Sequence, residues 1–134
     1  MLLVSFLITS CCKPILRETF IIKNESSHSV QINKLRADII VFALTIPPSS
    51  SVETLDLYSI EDSTVIVFDG SVSSVHYSSI VKDPSNQKAL RIDHARNIYN
   101  RKSYIVDEID LACDGYDDTY TYQLTDQDYL DAVK

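Results

Sequence analysis

The sequence predicts an all-β fold: an antiparallel two-sheet sandwich of immunoglobulin-like architecture with a short C-terminal helix. Three observations carry that prediction. Short apolar segments, alternating or rich in β-branched residues, recur along the chain with turn residues roughly every eight to twelve positions. Asp69-Gly70 stands between two such segments, where a tight hairpin needs positive φ values. The chain is 134 residues long and 45% hydrophobic, enough for one core and one domain. A small β-barrel is the alternative closure of the same strands.

Residues 18–24 and 28–34 flank the polar stretch Glu25-Ser26-Ser27, and Val30 and Ile32 alternate with polar neighbours, so this region reads as a first hairpin. Residues 38–46 are almost continuously apolar up to Pro47-Pro48. Because Ile39, Ile40 and Val41 are β-branched, the run reads as a strand buried on both faces. The two prolines and three serines cannot continue a ladder, and residues 52–58 then alternate again with Leu55 and Leu57 on one face.

Residues 64–68 and 71–77 form the Asp-Gly hairpin. Residues 80–102 lose the alternation and carry Pro84 and Asn86, which predicts a long connection with one short helix whose apolar face is Ile92, Ala95 and Tyr99. Residues 104–111 read as a strand, and 118–124 as the last core strand, with Tyr120, Tyr122 and Leu124 on one face. Thr125, with an acid at Asp128, caps a short helix that includes Tyr129, Leu130 and Val133. There is no tryptophan, so the Cys-Trp-Cys core of an antibody domain is excluded.

Residues 1–8 are an apolar run too short to span a bilayer, and they lead into small residues as a secretory h-region leads to its cleavage site. Ile8-Thr9-Ser10-Cys11 resembles the bacterial lipobox, in which the cysteine is acylated and becomes the first residue of the mature chain. The expected organisation is a lipoprotein signal peptide over residues 1–10, a lipidated tether over 11–17 and one β-sandwich domain over 18–134. No Lys or Arg precedes the apolar run, so a basic n-region is expected ahead of Met1. The alternative is that residues 2–8 form a buried strand and that Cys11 and Cys12 are core residues. Cys12 and Cys113 are available for a disulfide in an oxidising envelope, but their pairing does not follow from sequence.

The whole chain resembles small lipoproteins of Bacteroidetes, many of unknown function. The residues that carry the resemblance are the Ile8–Cys11 lipobox, Phe20-Ile-Ile-Lys-Asn-Glu-Ser-Ser-His-Ser-Val30, Ile46-Pro-Pro-Ser-Ser-Ser51, Val65-Ile-Val-Phe-Asp-Gly70 and Tyr120-Thr-Tyr-Gln-Leu-Thr-Asp-Gln-Asp-Tyr129, in that order. The resemblance implies an envelope-anchored β-sandwich at the outer membrane and brings no catalytic residues with it.

Nucleic-acid and nucleotide partners are disfavoured. Twelve Lys+Arg against nineteen Asp+Glu give a formal charge of −7, and two glycines leave little material for a phosphate-cradling loop. The histidines, His28, His76 and His94, lie in three separate segments without metal-ligand spacing. His28 reads as a turn-edge residue and His76 as an outward strand residue. No Gly-x-Ser-x-Gly elbow is present, so no enzyme and no cofactor are expected.

Asp107, Glu108, Asp110, Asp114, Asp117 and Asp118 form the one dense carboxylate group. With Tyr116, Tyr120, Tyr122 and Tyr129 nearby, they make a candidate calcium or glycan site, although a solvated acidic surface explains the acids more simply. Charge is uneven: residues 82–102 carry net +4 and 103–134 net −8, so the two segments either face each other or present a dipole to a partner. The expected function is therefore a non-enzymatic envelope lipoprotein, held to the bilayer through acylated Cys11 and acting as an interaction or structural module for an envelope protein or glycan. The alternative is a glycan- or calcium-binding module built on residues 107–122.

Overall fold

The computed structural model describes residues 15–54, 63–78, 89–90, 92–110 and 115–134. Among these residues nine strands and one α-helix follow in order: β1 (Ile15–Asn24), β2 (Val30–Arg36), β3 (Ile39–Ile46), β4 (Ser50–Thr54), β5 (Ser63–Phe68), β6 (Val72–Tyr77), β7 (Ala89–Leu90), β8 (Ile105–Asp110), β9 (Gly115–Leu124) and α1 (Asp126–Val133). They build two sheets, β4-β1-β9-β8 and β3-β2-β5-β6-β7. The architecture is the two-sheet sandwich, and among the described residues no ladder joins the sheets into a barrel.

The sheets are not purely antiparallel. β1 and β9 pair in parallel over their whole length, from Ile15 opposite Gly115 to Asn24 opposite Leu124, and β6 pairs in parallel with the short β7. The first strand starts at Ile15, three positions before the domain boundary expected at residue 18.

β1 and β2 are not a hairpin either, because they lie in different sheets. The turn at residues 25–29 is a corner between layers, and the fully buried Asn24 explains it. Its Nδ2 donates to the carbonyls of His28 (2.8 Å) and Ile46 (3.0 Å), while its Oδ1 accepts from the Ser26 amide (3.0 Å) and hydroxyl (2.6 Å). Both donors and both lone-pair directions of the amide are used. The Glu25 amide meanwhile bonds the Leu124 carbonyl at 2.8 Å, tying the corner to the end of β9.

Alternation places Phe20, Ile22, Tyr120, Tyr122 and Leu124 on the inner face of the first sheet, opposite Val30, Ile32, Ile46, Ile66 and Phe68 of the second, all buried. Phe20 stacks on Tyr120 at 5.0 Å, as cross-strand aromatic neighbours do. The Asp-Gly hairpin forms as the sequence predicts: Asp69 and Gly70 have φ of 49° and 70°, and β5 pairs β6 in unbroken register.

The short helix expected around Ile92, Ala95 and Tyr99 is absent. Residues 92–100 are turns, because polar side chains capture the backbone amides a helix needs. His94 Nδ1 accepts from the Arg96 amide, Asn97 Oδ1 from the Tyr99 amide, and Asn100 Oδ1 from the Lys102 amide. The turns still bury Ile98 and Tyr99, and the Tyr99 hydroxyl meets Thr64 Oγ1 at 2.6 Å inside the core. α1 forms as expected, with the Asp128 carboxylate accepting from the Thr125 amide at 2.8 Å. Leu55 and Leu57 lie outside the described residues.

Asn24→Ala leaves the buried Ile46 carbonyl and the Ser26 amide without their partner. It is expected to lower the unfolding free energy by about 3 kcal/mol, with Asn24→Asp at least as costly because a carboxylate would face two carbonyls; urea denaturation followed by circular dichroism measures both.

Candidate functional site

The end of the sandwich near the Asn24 corner is closed by α1, and a cavity of about 170 Å³ lies beneath it. Its apolar wall includes Ile66 and Phe68 of β5 and Leu124 of β9; its polar wall is Ser74 and His76 of β6, His94 and Arg96 of the turn segment, and Asp128 and Asp131 of α1. The helix is held by charge and by aromatic contact. Arg96 reaches Asp128 through Nε at 2.9 Å and Nη2 at 2.7 Å, and Nη2 also donates to the Gln123 carbonyl. Burial works against the Arg96 charge, but the Asp128 hydrogen bonds together with the charges of Tyr122, Asp128 and Asp131 outweigh it and hold the guanidinium above its ordinary pKa. On the other side of the helix Tyr129 stacks on His28 at 3.7 Å, His28 Nδ1 bonds Asp69 at 2.6 Å, and Asp126 accepts from the Ser27 amide at 2.8 Å.

His76 is not an outward strand residue. It is 2% exposed, and its ring bridges β6 to the turn segment. The strand Val72-Ser-Ser-Val-His-Tyr77 turns Val75 and Tyr77 away from the core and His76 toward it, in register with buried Thr64. Nδ1 accepts from the Ile98 amide at 3.0 Å, so in the neutral ring the hydrogen is on Nε2, which donates to Ser74 Oγ at 3.1 Å. This is the reverse of a nucleophile pair: the imidazole has no free lone pair to take the serine proton. Burial pushes the His76 pKa down to about 3, with Asp128 opposing the shift and Arg96 and His94 adding to it.

The acidic candidates divide. Asp107, Glu108 and Asp110 lie on β8, Asp117 and Asp118 on β9, and Asp114 lies outside the described residues. Glu108 pairs with Asp118, which in turn pairs with Glu18 of β1, so three carboxylates share one row across three strands. Asp107 and Asp117 have the opposite parity and sit on the other face. Among the described residues no group of three or more His, Cys, Asp or Glu side chains is arranged to hold a metal ion. Of the tyrosines, Tyr120 and Tyr122 are core, whereas Tyr116 is 54% exposed.

The other departure from expectation is β3. Ile39, Ile40, Val41 and Phe42 are 68%, 56%, 49% and 46% exposed, although the run reads as a doubly buried strand. The cause is position. β3 ends the second sheet and pairs only with β2, so among the described residues its far edge carries no partner strand. The β2–β3 turn is tight, with Ala37 and Asp38 at φ of 48° and 64°. Cys11, Cys12 and Cys113 lie outside the described residues.

No family model, no curated protein and no solved structure matches this chain. Geometry therefore carries the functional reading.

His76 gives the protein a pH signature. The unfolded chain protonates this ring near 6.5, whereas the fold keeps it neutral down to about 3, so the unfolded state binds more protons in that window and stability falls as pH drops through it. Asp69 and Asp126, depressed by hydrogen bonds from His28 and from Ser27 respectively, lose their contribution only below the ordinary carboxylate value of 3.8. His76→Asn, whose amide oxygen can still accept from Ile98, is expected to flatten the decline in urea midpoint between pH 7 and 4 without abolishing the fold.

Proposed function

We propose that the protein is a non-enzymatic interaction module of a bacterial envelope, anchored by acyl chains on Cys11 and docking a partner strand along the edge of β3 that pairs with no strand among the described residues. The exposed apolar edge carries this reading. A long, uncharged edge strand is a template for pairing, which folded proteins ordinarily blunt with charge, proline or cover, and Ile39–Ile46 contains none of the first two. Because side chains on both faces of the strand are apolar, a docked strand must itself be apolar on both faces, and a second copy of β3 supplies such a strand in antiparallel orientation. Copies tethered to one membrane surface meet at high effective concentration. Arg36 and Asp38 beside the hairpin tip favour strand pairing over insertion of that tip into hydrocarbon.

The anchor fits the start of the fold. Ile15, where pairing with β9 begins, lies four chain steps after Cys11, so the lipid would hold that end of the first sheet within about 14 Å of the bilayer. Two or three acyl chains, at about 0.8 kcal/mol per buried CH₂, suffice for stable attachment. Among the described residues no helix is long and apolar enough to cross a membrane. The non-enzymatic part of the reading rests on the direction of the His76–Ser74 hydrogen bond. The opposing arrangement of Arg96 from the basic segment and Asp128 from the acidic one gives that charge asymmetry a structural use.

Two measurements test the proposal. Expressed in a bacterial host with a basic n-region ahead of Met1, the wild type is expected to partition into detergent and to carry the added mass of acyl chains on a chain beginning at Cys11, with both lost in Cys11→Ser; equal mass and partitioning of the two would remove the anchor. In sedimentation equilibrium the domain is expected to dimerise and Val41→Lys to weaken dimerisation at least tenfold with an unchanged melting temperature. A wild type that stays monomeric at millimolar concentration counts against the strand-docking edge.

A further inference from the structure

The geometry points to the cavity beneath α1 as a binding site for a neutral polyhydroxylated ligand the size of one sugar ring. The volume of about 170 Å³ is the space of roughly five or six waters, which matches one six-membered ring with its hydroxyls and is too small for a larger cofactor.

Hydrogen-bond accounting gives the chemistry. Ser74 Oγ accepts from His76 Nε2, so its own proton remains to be donated, and His76 cannot take it because Nδ1 is engaged by Ile98. Arg96 spends Nε and Nη2 on Asp128 and Gln123, and among the described residues Nη1 makes no hydrogen bond. His94 Nδ1 accepts from the Arg96 amide, which leaves the other ring nitrogen to serve the cavity. On the acceptor side, Asp131 engages Gln127 and Lys134 through Oδ1, leaving Oδ2 without a partner among the described residues.

The wall thus offers donors and acceptors together, which is what hydroxyl groups, being both, require. Charge disfavours an anion, which would meet the Asp128 and Asp131 carboxylates while the Arg96 charge is already matched by Asp128. The facing surface of Ile66, Phe68 and Leu124 suits the C–H face of a ring. The site is separate from the acidic residues of β8 and β9 and from the β3 edge, so it stands or falls independently of the proposed docking function.

The test is a ¹H–¹⁵N correlation titration of the folded domain with a panel of neutral monosaccharides, using succinate and benzene as anionic and apolar comparators. The expected result is saturable shifts confined to β6, residues 92–98 and α1 for at least one sugar, with Kd of about 1 mM or tighter and no saturation by either comparator. Asp131→Asn, at an exposed helix position, is expected to weaken binding at least fivefold without changing the melting temperature. Ala132→Leu, which fills the cavity from α1, is expected to abolish binding. No saturable shift with any sugar, saturation by a comparator instead, or sugar shifts that survive Ala132→Leu would each overturn the assignment. In the last case the sugar binds elsewhere.

Discussion

One buried amide decides the layering of this protein. At Asn24 the chain leaves the first sheet for the second, and a corner between two layers ordinarily strands backbone groups that neither ladder can reach. The Asn24 side chain meets that need from within: it bonds the carbonyls on the far side of the corner and turns its oxygen back on Ser26. Ile46 pairs with Val30 and is also gripped by Asn24, so the same residue fixes where β3 ends as well as where β1 ends. The Glu25 amide then bonds the Leu124 carbonyl, so the end of β9 is tied to the same junction.

The second constraint is the way α1 is fastened. Its contacts are mostly polar or aromatic: a two-point Arg96–Asp128 pair on one side and the Tyr129–His28 stack with its Asp69 and Ser27 neighbours on the other. A lid held by directional bonds at its margins does not need to fill the volume under its middle. That explains how a polar-walled cavity coexists with a core in which Tyr122, Ile66 and Leu124 are at most 1% exposed.

Much of this fold was legible in the sequence, and the failures have physical causes. The Asp69-Gly70 hairpin, the Tyr120–Leu124 strand and the capped terminal helix each announce themselves through local chemistry, and local chemistry is what a sequence displays. The run at residues 38–46 was misread because hydrophobic periodicity reports how apolar a strand is, not whether a neighbour is present to cover it. The residue 25–27 turn was misread because a polar turn between two strands looks the same whether the strands pair or part. Asn97, Asn100 and His94 carried a usable warning against a helix at 92–100, since side chains of this kind compete for the backbone. Of the cavity residues, Arg96 and Asp128 were foreshadowed by the opposed charges of their segments. His76 was not, because β6 lacks a clean alternation from which to read its facing.

The parallel ladder between β1 and β9 sets each residue of the first strand beside one a hundred positions later. At ribosomal rates of about 5–20 residues per second, β1 waits roughly 5–20 s for its neighbour to be made. Until then one edge of β1 lacks its ladder partner, and completion of the first sheet waits for β9. Such long-range pairing belongs to slow folders, and it gives a nascent copy ample time to need a chaperone.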